Sequence, residues 1–210
     1  MKREVIADKA IWRGAKMYIM NIWDKEGVRF KEPELLLHGI EAVRSSTPMV
    51  CRDNIKKCLK IIMNQTESDL QGFIKTFNAE FKSLPFEQVA FPRSVNGLEE
   101  YSDSLTICRK ATPIHVRGAL VYNHMIEQMG LDHKYSMIRN KDKIRFAYLR
   151  SPNPARSHVI AAPDELPGEL NLKEYIDYDT QWEKTFKAPI KSITDLIGWK
   201  LVKSPELKFE

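Results

Sequence analysis

The residues best suited to chemistry form a basic run that leads into an apolar segment, and its basic or titratable members are Arg109, Lys110, His115 and Arg117. Thr112 is a favourable N-cap and Pro113 suits the first helical position, so the sequence predicts that a helix begins here. A helix N-terminus attracts anions, and Gly118 would let a phosphate approach the backbone closely. A buried helix with a solvated basic end explains the same residues equally well, because apolar side chains fall on almost every face up to Gly130.

A second pairing of functional side chains brings a cation and a phenol together at Lys16 and Tyr18. Residues 16–23 are rich in β-forming side chains, Asp24-Lys25-Glu26-Gly27 has the composition of a turn, and residues 28–30 would return as the partner strand. Because side chains alternate along a strand, Lys16 and Tyr18 are predicted to point to the same face. That face suits a sugar-phosphate backbone, but a tyrosine at a sheet edge beside a lysine is an equally common arrangement.

The other residue types form no local motif for catalysis or metal binding. The five histidines are scattered, and Cys51, Cys58 and Cys108 have neither the spacing of a zinc site nor an even number for disulfides. Asp177 and Asp179 would lie on opposite sides of a helix, and there is no glycine-rich phosphate loop or nucleophile motif. The sequence therefore predicts reduced thiols, no catalytic residue and no metal ligand in this chain.

Basic residues are concentrated in two parts of the chain. Residues 1–60 hold thirteen basic and eight acidic side chains, residues 104–158 hold ten basic and three acidic ones, and the remaining segments are net acidic. This pattern indicates a surface that follows a polyanion, of which nucleic acid is the commonest. A solvated basic face without a partner is the alternative.

The elements that must position these residues indicate an α+β protein. Ser45-Ser46-Thr47-Pro48 predicts the start of a helix that ends near Met63, and Ser68 predicts the cap of a second helix that ends before Pro85. Residues 86–110 have little periodicity and predict a long loop, which in a compact domain is usually functional or disordered. The other predicted elements are a hairpin of residues 134–138 and 143–149, a short strand at 158–161, and a helical tail from Leu172 to Trp199 with a break at Pro189.

No stretch of the sequence predicts a membrane span or a secretion signal. No run approaches the roughly 18 apolar residues that a span needs, and the charged start Met1-Lys2-Arg3-Glu4 is not followed by an apolar region. With 210 residues, of which 43% are hydrophobic, the chain is long enough for a large core. We therefore expect a soluble, cytoplasmic protein.

Four motifs, taken in order, resemble the C-terminal part of family B replicative DNA polymerases, particularly those of tailed phages. They are Lys16-Met17-Tyr18 in a hairpin that ends Trp23-Asp24-Lys25-Glu26-Gly27, Ser45-Ser46-Thr47-Pro48 before a helix, His115-Val116-Arg117-Gly118 followed by Tyr122-Asn123, and Phe186-Lys187-Ala188-Pro189-Ile190. Each motif alone is weakly specific, but their order and spacing extend over essentially the whole chain. The resemblance implies that residues 1–44 end the palm and that residues 45–210 form the thumb, with a helical base and a small β-containing tip around 86–162.

The resemblance also implies which residues contact DNA. In this family the Lys-x-Tyr hairpin lies against the primer strand near its 3′ end, which assigns that role to Lys16 and Tyr18. The thumb grips the duplex through its minor groove and phosphates, and the residues assigned to this grip are Arg93, Ser94, Asn96, Lys110, His115 and Arg117. Phosphate contacts hold every sequence equally, as a polymerase requires.

The catalytic centre implied by the resemblance lies outside this chain. Family polymerases bind two metal ions through aspartates in motifs that precede this region, and neither those motifs nor the proofreading exonuclease occurs here. We therefore expect the C-terminal part of a split DNA polymerase, which binds no cofactor itself and is inactive alone. It would act on primer–template DNA together with Mg²⁺ and an upstream chain that carries the catalytic aspartates. Met1 falls where the family's palm resumes, which fits a gene in two parts or a shortened chain.

Two further expectations concern partners. The alternative function is a free-standing, sequence-independent DNA-binding accessory protein derived from a polymerase thumb. The family often ends in a short apolar peptide that docks on a sliding clamp, and residues 204–210 resemble at best a truncated form of it. Clamp binding is therefore not expected.

Overall fold

The computed structural model describes residues 4–102 and 106–202 and has an α+β fold, as predicted. The described chain forms two compact units. The first unit comprises residues 4–44, 49–80 and 186–202, and the second comprises Ser45–Pro48 and Phe81–Thr185. The predicted boundary between residues 44 and 45 concerns functional regions rather than compact units, and it stays a prediction.

The first unit contains a three-stranded antiparallel sheet. Its strands are β1 (Val5–Gly14), β2 (Met17–Lys25) and β3 (Val28–His38), in the order β1-β2-β3. The predicted hairpin of β2 and β3 is confirmed, and Glu26 and Gly27 form its turn with φ angles of 54° and 91°. The strand β1 was missed, since register shifts on either side of Asp8 break the alternation that would have indicated it.

The helices of the first unit begin and end close to their predicted positions. They are α1 (Met49–Asn64) and α2 (Glu67–Phe81). The cap of α2 is Thr66 rather than the predicted Ser68, because the Thr66 hydroxyl accepts from the Asp69 backbone N–H at 3.4 Å while the Thr66 N–H donates to Asp69 Oδ2 at 3.0 Å. This reciprocal contact satisfies the first turn of the helix.

The second unit is built around another three-stranded antiparallel sheet, with the order β4-β5-β6. Its strands are β4 (Phe91–Ser94), β5 (Lys143–Tyr148) and β6 (Val159–Ala162). The predicted pairing of β5 with residues 134–138 is wrong, because β5 pairs with β4, which lies in the predicted loop. Pro92 is tolerated in β4 because β4 is an edge strand.

The segment at 134–138 is held by side chains instead of by a strand partner. The amide of Asn123 donates to the Ile138 carbonyl and accepts from the Ile138 N–H, both at 2.8 Å. Lys134 and Tyr135 both donate to Glu169, and these hydrogen bonds, with that from Lys134 first, lower the pKa of Glu169 to about 2. The backbone N–H and C=O of Ile138, which a hairpin would have paired with a neighbouring strand, are therefore bonded to the Asn123 side chain instead.

The short helices α3 (Phe86–Val89) and α4 (Leu98–Tyr101) flank β4 along the chain, and the long helix of the second unit is α5 (Ile114–Gln128). Pro113 occupies the cap position of α5 without a side-chain hydrogen bond, and the hydroxyl of the predicted cap, Thr112, donates to the Arg109 carbonyl at 2.7 Å. A Cβ added at Gly118 would lie 3.0 Å from the backbone nitrogen of Ala161 in β6. The glycine therefore allows α5 to pack closely on the sheet, and the prediction that it admits a phosphate is wrong.

The tail is less helical than predicted. It contains α6 (Tyr178–Trp182), a π-helical turn at Glu183–Lys187 and α7 (Ala188–Thr194), preceded by 3₁₀ turns. Pro189 lies in the first turn of α7, where proline costs little because the first N–H groups of a helix have no partner within it. The predicted break at Pro189 therefore corresponds to the π-helical turn that directly precedes α7.

Candidate nucleic-acid interface

Two strands and the segment before α1 form a small basic groove in the second unit. This serine groove has a volume of ≈ 400 Å³ and is lined by Ser45, Ser46, Pro92, Arg93, Ser94, Lys143 and Ile144. Ser94 and Lys143 are directly opposite in the β4–β5 ladder, so their side chains lie on the same face. Three hydroxyls and two cations therefore converge, and none of the described residues that line the groove is acidic.

The polar groups of the serine groove are available for a ligand. Neither the hydroxyls of Ser45, Ser46 and Ser94 nor the cations of Arg93 and Lys143 bond to another side chain among the described residues. Ser94, Arg93 and Lys143 are exposed, and Ser46 is half-buried. Hydroxyl and cationic donors without competing acceptors suit a phosphate oxygen.

His115 and Arg93 influence each other electrostatically. Burial, and secondarily the charge of Arg93, lower the pKa of His115 from its usual value. The His115 ring lies 6.3 Å from the ring of Phe146 in β5. Near pH 7 this lowered pKa favours the neutral ring of His115, which can both donate and accept a hydrogen bond, and its assignment as a DNA contact stays a prediction.

Asn96 and Lys110 lie on the surface of the second unit but do not line the serine groove. Asn96 follows Val95, whose backbone bonds to Asp142 and Lys141. Lys110 precedes Ala111, which has a φ of 67° and turns the chain towards α5. Both side chains are exposed, as a DNA contact requires, and their assignment stays a prediction.

Arg117 lies on a different side of α5 from His115, because two residues along an α-helix correspond to a rotation of about 200°. It lines a cavity of ≈ 640 Å³, which we call the arginine cleft. The cleft is lined by Ile107, Cys108, Arg117, Val121, His124, Met125, Gln128, Met129, Pro154, Ala155, Arg156, Ser157 and His158. The structure therefore separates two residues that the sequence had combined in one anion site.

Lys16 and Tyr18 belong to the first unit, where the turn that carries Lys16 is tightly held. Lys16 lies in the turn between β1 and β2, not in a strand as predicted. His38 Nδ1 donates to the Lys16 carbonyl at 2.7 Å, and its ring stacks on that of Tyr18 at 5.2 Å and 11°. Gly39 has a φ of 68°, and a Cβ there would lie 2.1 Å from the Lys16 carbonyl oxygen. These contacts fix the backbone and leave the Lys16 side chain exposed.

A third ring lies beside this pair. Trp12 in β1 is directly opposite Tyr18, which is directly opposite His38, so all three side chains share one face of the sheet. Trp12 is 57% exposed. The sequence did not indicate this row, because it depends on the pairing of β1 with β2 and of β2 with β3.

Sequence reasoning also missed most of the groove and cleft residues. Ser45 and Ser46 were interpreted as a helix start, and Lys143 as part of a basic hairpin surface. His124, Arg156 and His158 were not considered. Their one signal was membership in the basic segment 104–158, and only the tertiary structure brings them to a common cavity.

The described residues include no group of three or more histidine, cysteine, aspartate or glutamate side chains arranged to hold a metal ion. Within the same residues, no helix is long and apolar enough to cross a membrane. The tail at 204–210 lies outside the described residues.

Comparison with known proteins finds two phage relatives of this chain. Over 202 residues the chain is 29% identical to the DNA-directed DNA polymerase of Enterobacteria phage T4, and over 206 residues it is 32% identical to that of Escherichia phage RB69. The chain is homologous to phage DNA-directed DNA polymerases. The matches cover 94% and 92% of this chain but only 22% of each relative, in a C-terminal portion. No family model matches the chain. The resemblance to phage polymerases is thus confirmed, and the division into separate chains is a further hypothesis.

Proposed function

We propose that the chain is the C-terminal palm-and-thumb part of a split phage DNA polymerase. It grips primer–template duplex DNA and positions the primer 3′ end, in the cytoplasm of an infected host. The homology to a C-terminal portion of two phage polymerases is the observation that carries this proposal. An upstream chain supplies the exonuclease, the catalytic aspartates and the Mg²⁺ that they bind, so this chain is inactive alone.

The grip is proposed to centre on the serine groove. Its hydroxyls and cations offer donors to phosphate oxygens, and such contacts hold DNA without reading its sequence. Arg93, Ser94 and the nearby neutral His115 are the predicted contacts that the geometry supports best. Asn96, Lys110 and Arg117 remain proposed contacts on the same unit, and Ser45, Ser46 and Lys143 are added to the grip.

The primer end is proposed to lie against Lys16 and Tyr18. The exposed ammonium of Lys16 would pair with a phosphate, and the stacked ring of Tyr18 would present its edge and hydroxyl to the terminal nucleotide. Since the Lys16 backbone is fixed by His38 and Gly39, little order would have to be gained on binding. Such positioning can supply a large part of the rate of phosphoryl transfer.

The upstream chain is proposed to cover apolar surface of the first unit. Trp12, Trp23 and Val28, all in the sheet, are 57%, 39% and 64% exposed. Large exposed apolar side chains on one sheet favour a subunit over a free-standing accessory protein, which would be expected to have a polar surface.

Primer extension tests the proposal. The chain alone, the upstream polymerase chain alone, and the two mixed are given primer–template DNA, Mg²⁺ and deoxynucleotides, and we expect extension only in the mixture. The same mixture with Arg93→Gln/Lys143→Gln should extend poorly at low DNA concentration and recover as DNA is raised. Extension by the upstream chain alone at the rate of the mixture would contradict the proposal. DNA binding without any contribution to extension would favour the accessory protein.

A further inference from the structure

We propose that the arginine cleft is a binding site for a nucleotide, held through its phosphate. The walls come from α5, from the segment before it at residues 107–108, and from the loop at residues 154–158. None of the residues involved lines the serine groove. Arg117 is also one of the proposed grip contacts, but Arg156, His124 and His158 belong to the cleft alone, so the inference rests on a site separate from the serine groove.

Among the described residues, the positive charges of the cleft have no counter-charge. The guanidinium groups of Arg117 and Arg156 form no ion pair or hydrogen bond with any described residue, and none of the described residues that line the cleft is acidic. His124 and His158 add two further donors. Arg117 is half-buried, and a cation partly removed from water is stabilised by an anion that enters the site.

The loop that carries Arg156 is held in place by internal hydrogen bonds. The Asn153 amide donates to the carbonyls of Arg150 and Ser157, both at 2.7 Å, and the Arg156 N–H donates to the Asn153 carbonyl at 3.0 Å. Arg156 has a φ of 47°, a conformation that a non-glycine residue adopts only when its surroundings impose it. A loop ordered in this way presents its guanidinium with little entropy left to lose on binding.

The cleft also has apolar lining residues, which suit a base or a sugar. Val121 and Met125 line it from α5 and Met129 from the residue after α5, together with Ile107, Pro154 and Ala155. Methionine side chains adapt to flat rings. A volume of ≈ 640 Å³ falls within the ~300–1,000 Å³ typical of small-molecule sites and exceeds what a bare phosphate needs. The geometry therefore points to a nucleoside phosphate, either free or as part of a DNA strand.

Calorimetric titration of the full chain tests the site. The probes are inorganic phosphate, deoxyadenosine monophosphate and a short single-stranded DNA, each with wild type, with Arg117→Gln/Arg156→Gln and with the control Lys141→Gln/Lys173→Gln. The control removes the same charge from exposed positions outside the cleft. We expect the cleft variant to lose at least tenfold in affinity for the mononucleotide or for the DNA strand, and the control to lose less than twofold.

The outcomes distinguish the sources of the phosphate. Binding of the mononucleotide, lost in the cleft variant, identifies a free-nucleotide site, and binding of the DNA strand alone, lost likewise, identifies a strand site. Equal losses in the cleft variant and the control, or equal affinity for phosphate and mononucleotide, would overturn the inference. If Arg117→Gln impairs folding, Arg156→Gln alone, on the exposed loop, gives the same comparison. If Arg93→Gln/Lys143→Gln bound duplex DNA as well as wild type does, the proposed grip would be wrong, but the result for the cleft would stand.

Discussion

The serine groove and the arginine cleft are two basic sites in the same unit, yet they differ in what surrounds the charge. The groove combines two cations with three hydroxyls on strand ends, and proline and isoleucine are its apolar members. The cleft combines two guanidiniums with apolar lining residues that include Met125 and Met129. Charge alone would make the two sites equivalent. Their walls indicate that the groove suits a phosphodiester and the cleft a whole nucleotide.

The largest expected effect is on duplex binding. Arg93→Gln/Lys143→Gln should weaken duplex affinity by roughly one to two orders of magnitude at low salt and reduce the slope of log K against log salt by about 2, since each phosphate contact contributes close to one. Fluorescence anisotropy with unrelated duplexes at several salt concentrations measures both quantities. Lys141→Gln/Lys173→Gln, which removes the same charge from exposed positions outside both sites, is the matched control, and equal losses in the two variants would contradict the proposed role of the serine groove.

Gly118→Ala should lower stability by about 1–3 kcal/mol, because the new methyl would press on the backbone of β6 at 3.0–3.1 Å. The control is Gly72→Ala in α2, where a Cβ meets nothing within 4 Å and helix propensity predicts a gain of about 0.5–1 kcal/mol. Urea unfolding measures both variants. Because α5 carries both His115 and Arg117, this substitution should disturb the groove and the cleft together. A stabilised Gly118→Ala variant would show that α5 can withdraw from the sheet.

Thiol labelling should report on the cleft alone. Burial raises the pKa of Cys58 to about 12 and also raises that of Cys108, but Cys51 and Cys58 are buried whereas Cys108 is half-buried at the cleft wall. We expect maleimide to label Cys108 slowly and the other two only on unfolding, and a nucleotide to slow Cys108 labelling severalfold. Mass spectrometry of the labelled peptides checks this. Equal labelling of all three cysteines in the folded chain would contradict it.

The smallest expected effect is a pH dependence of stability at the groove side of α5. Because the folded chain lowers the pKa of His115 below its usual 6.5, the stability that depends on the neutral ring is complete above pH 6.5. It is lost as the pH falls through the lower, folded pKa. His115→Gln should remove this part of the acid sensitivity, as measured by urea midpoints at pH 7.5 and pH 5. An identical pH dependence in wild type and variant would exclude His115 as its source.

The sequence predicted those elements of the fold that are determined by residues close together in the chain. The turn at residues 24–27 identified the β2–β3 hairpin, and the apolar spacing of α1, α2 and α5 gave their extents within a few residues. The bulge around Asp8 concealed β1, and the pairing of β4 with β5 joins residues some fifty positions apart, which no local pattern encodes. The similarity to phage DNA polymerases was predicted from the order of four motifs, because their order is informative even though each motif alone is weakly specific.

The candidate site was predicted only where sequence neighbours are also neighbours in space. Arg93 and Ser94 are adjacent on β4 and both line the serine groove. His115 and Arg117 are equally close in sequence but point to different sides of α5, because a helix rotates by about 100° per residue. Ser45 and Lys143 meet in the groove although they are nearly a hundred residues apart, a proximity that arises only from the tertiary fold.

The π-helical turn at Glu183–Lys187 has an evolutionary consequence. A π turn holds about one more residue than an α-helical turn, so the number of residues in this segment sets the rotation of everything that follows it. Phe186, within it, is fully buried and packs edge-on against Phe77 at 4.8 Å. Deleting one residue there would restore a regular helix and rotate the following residues by about 100°, carrying Phe186 away from Phe77. We therefore expect homologous chains to keep the number of residues in this segment as strictly as they keep its sequence.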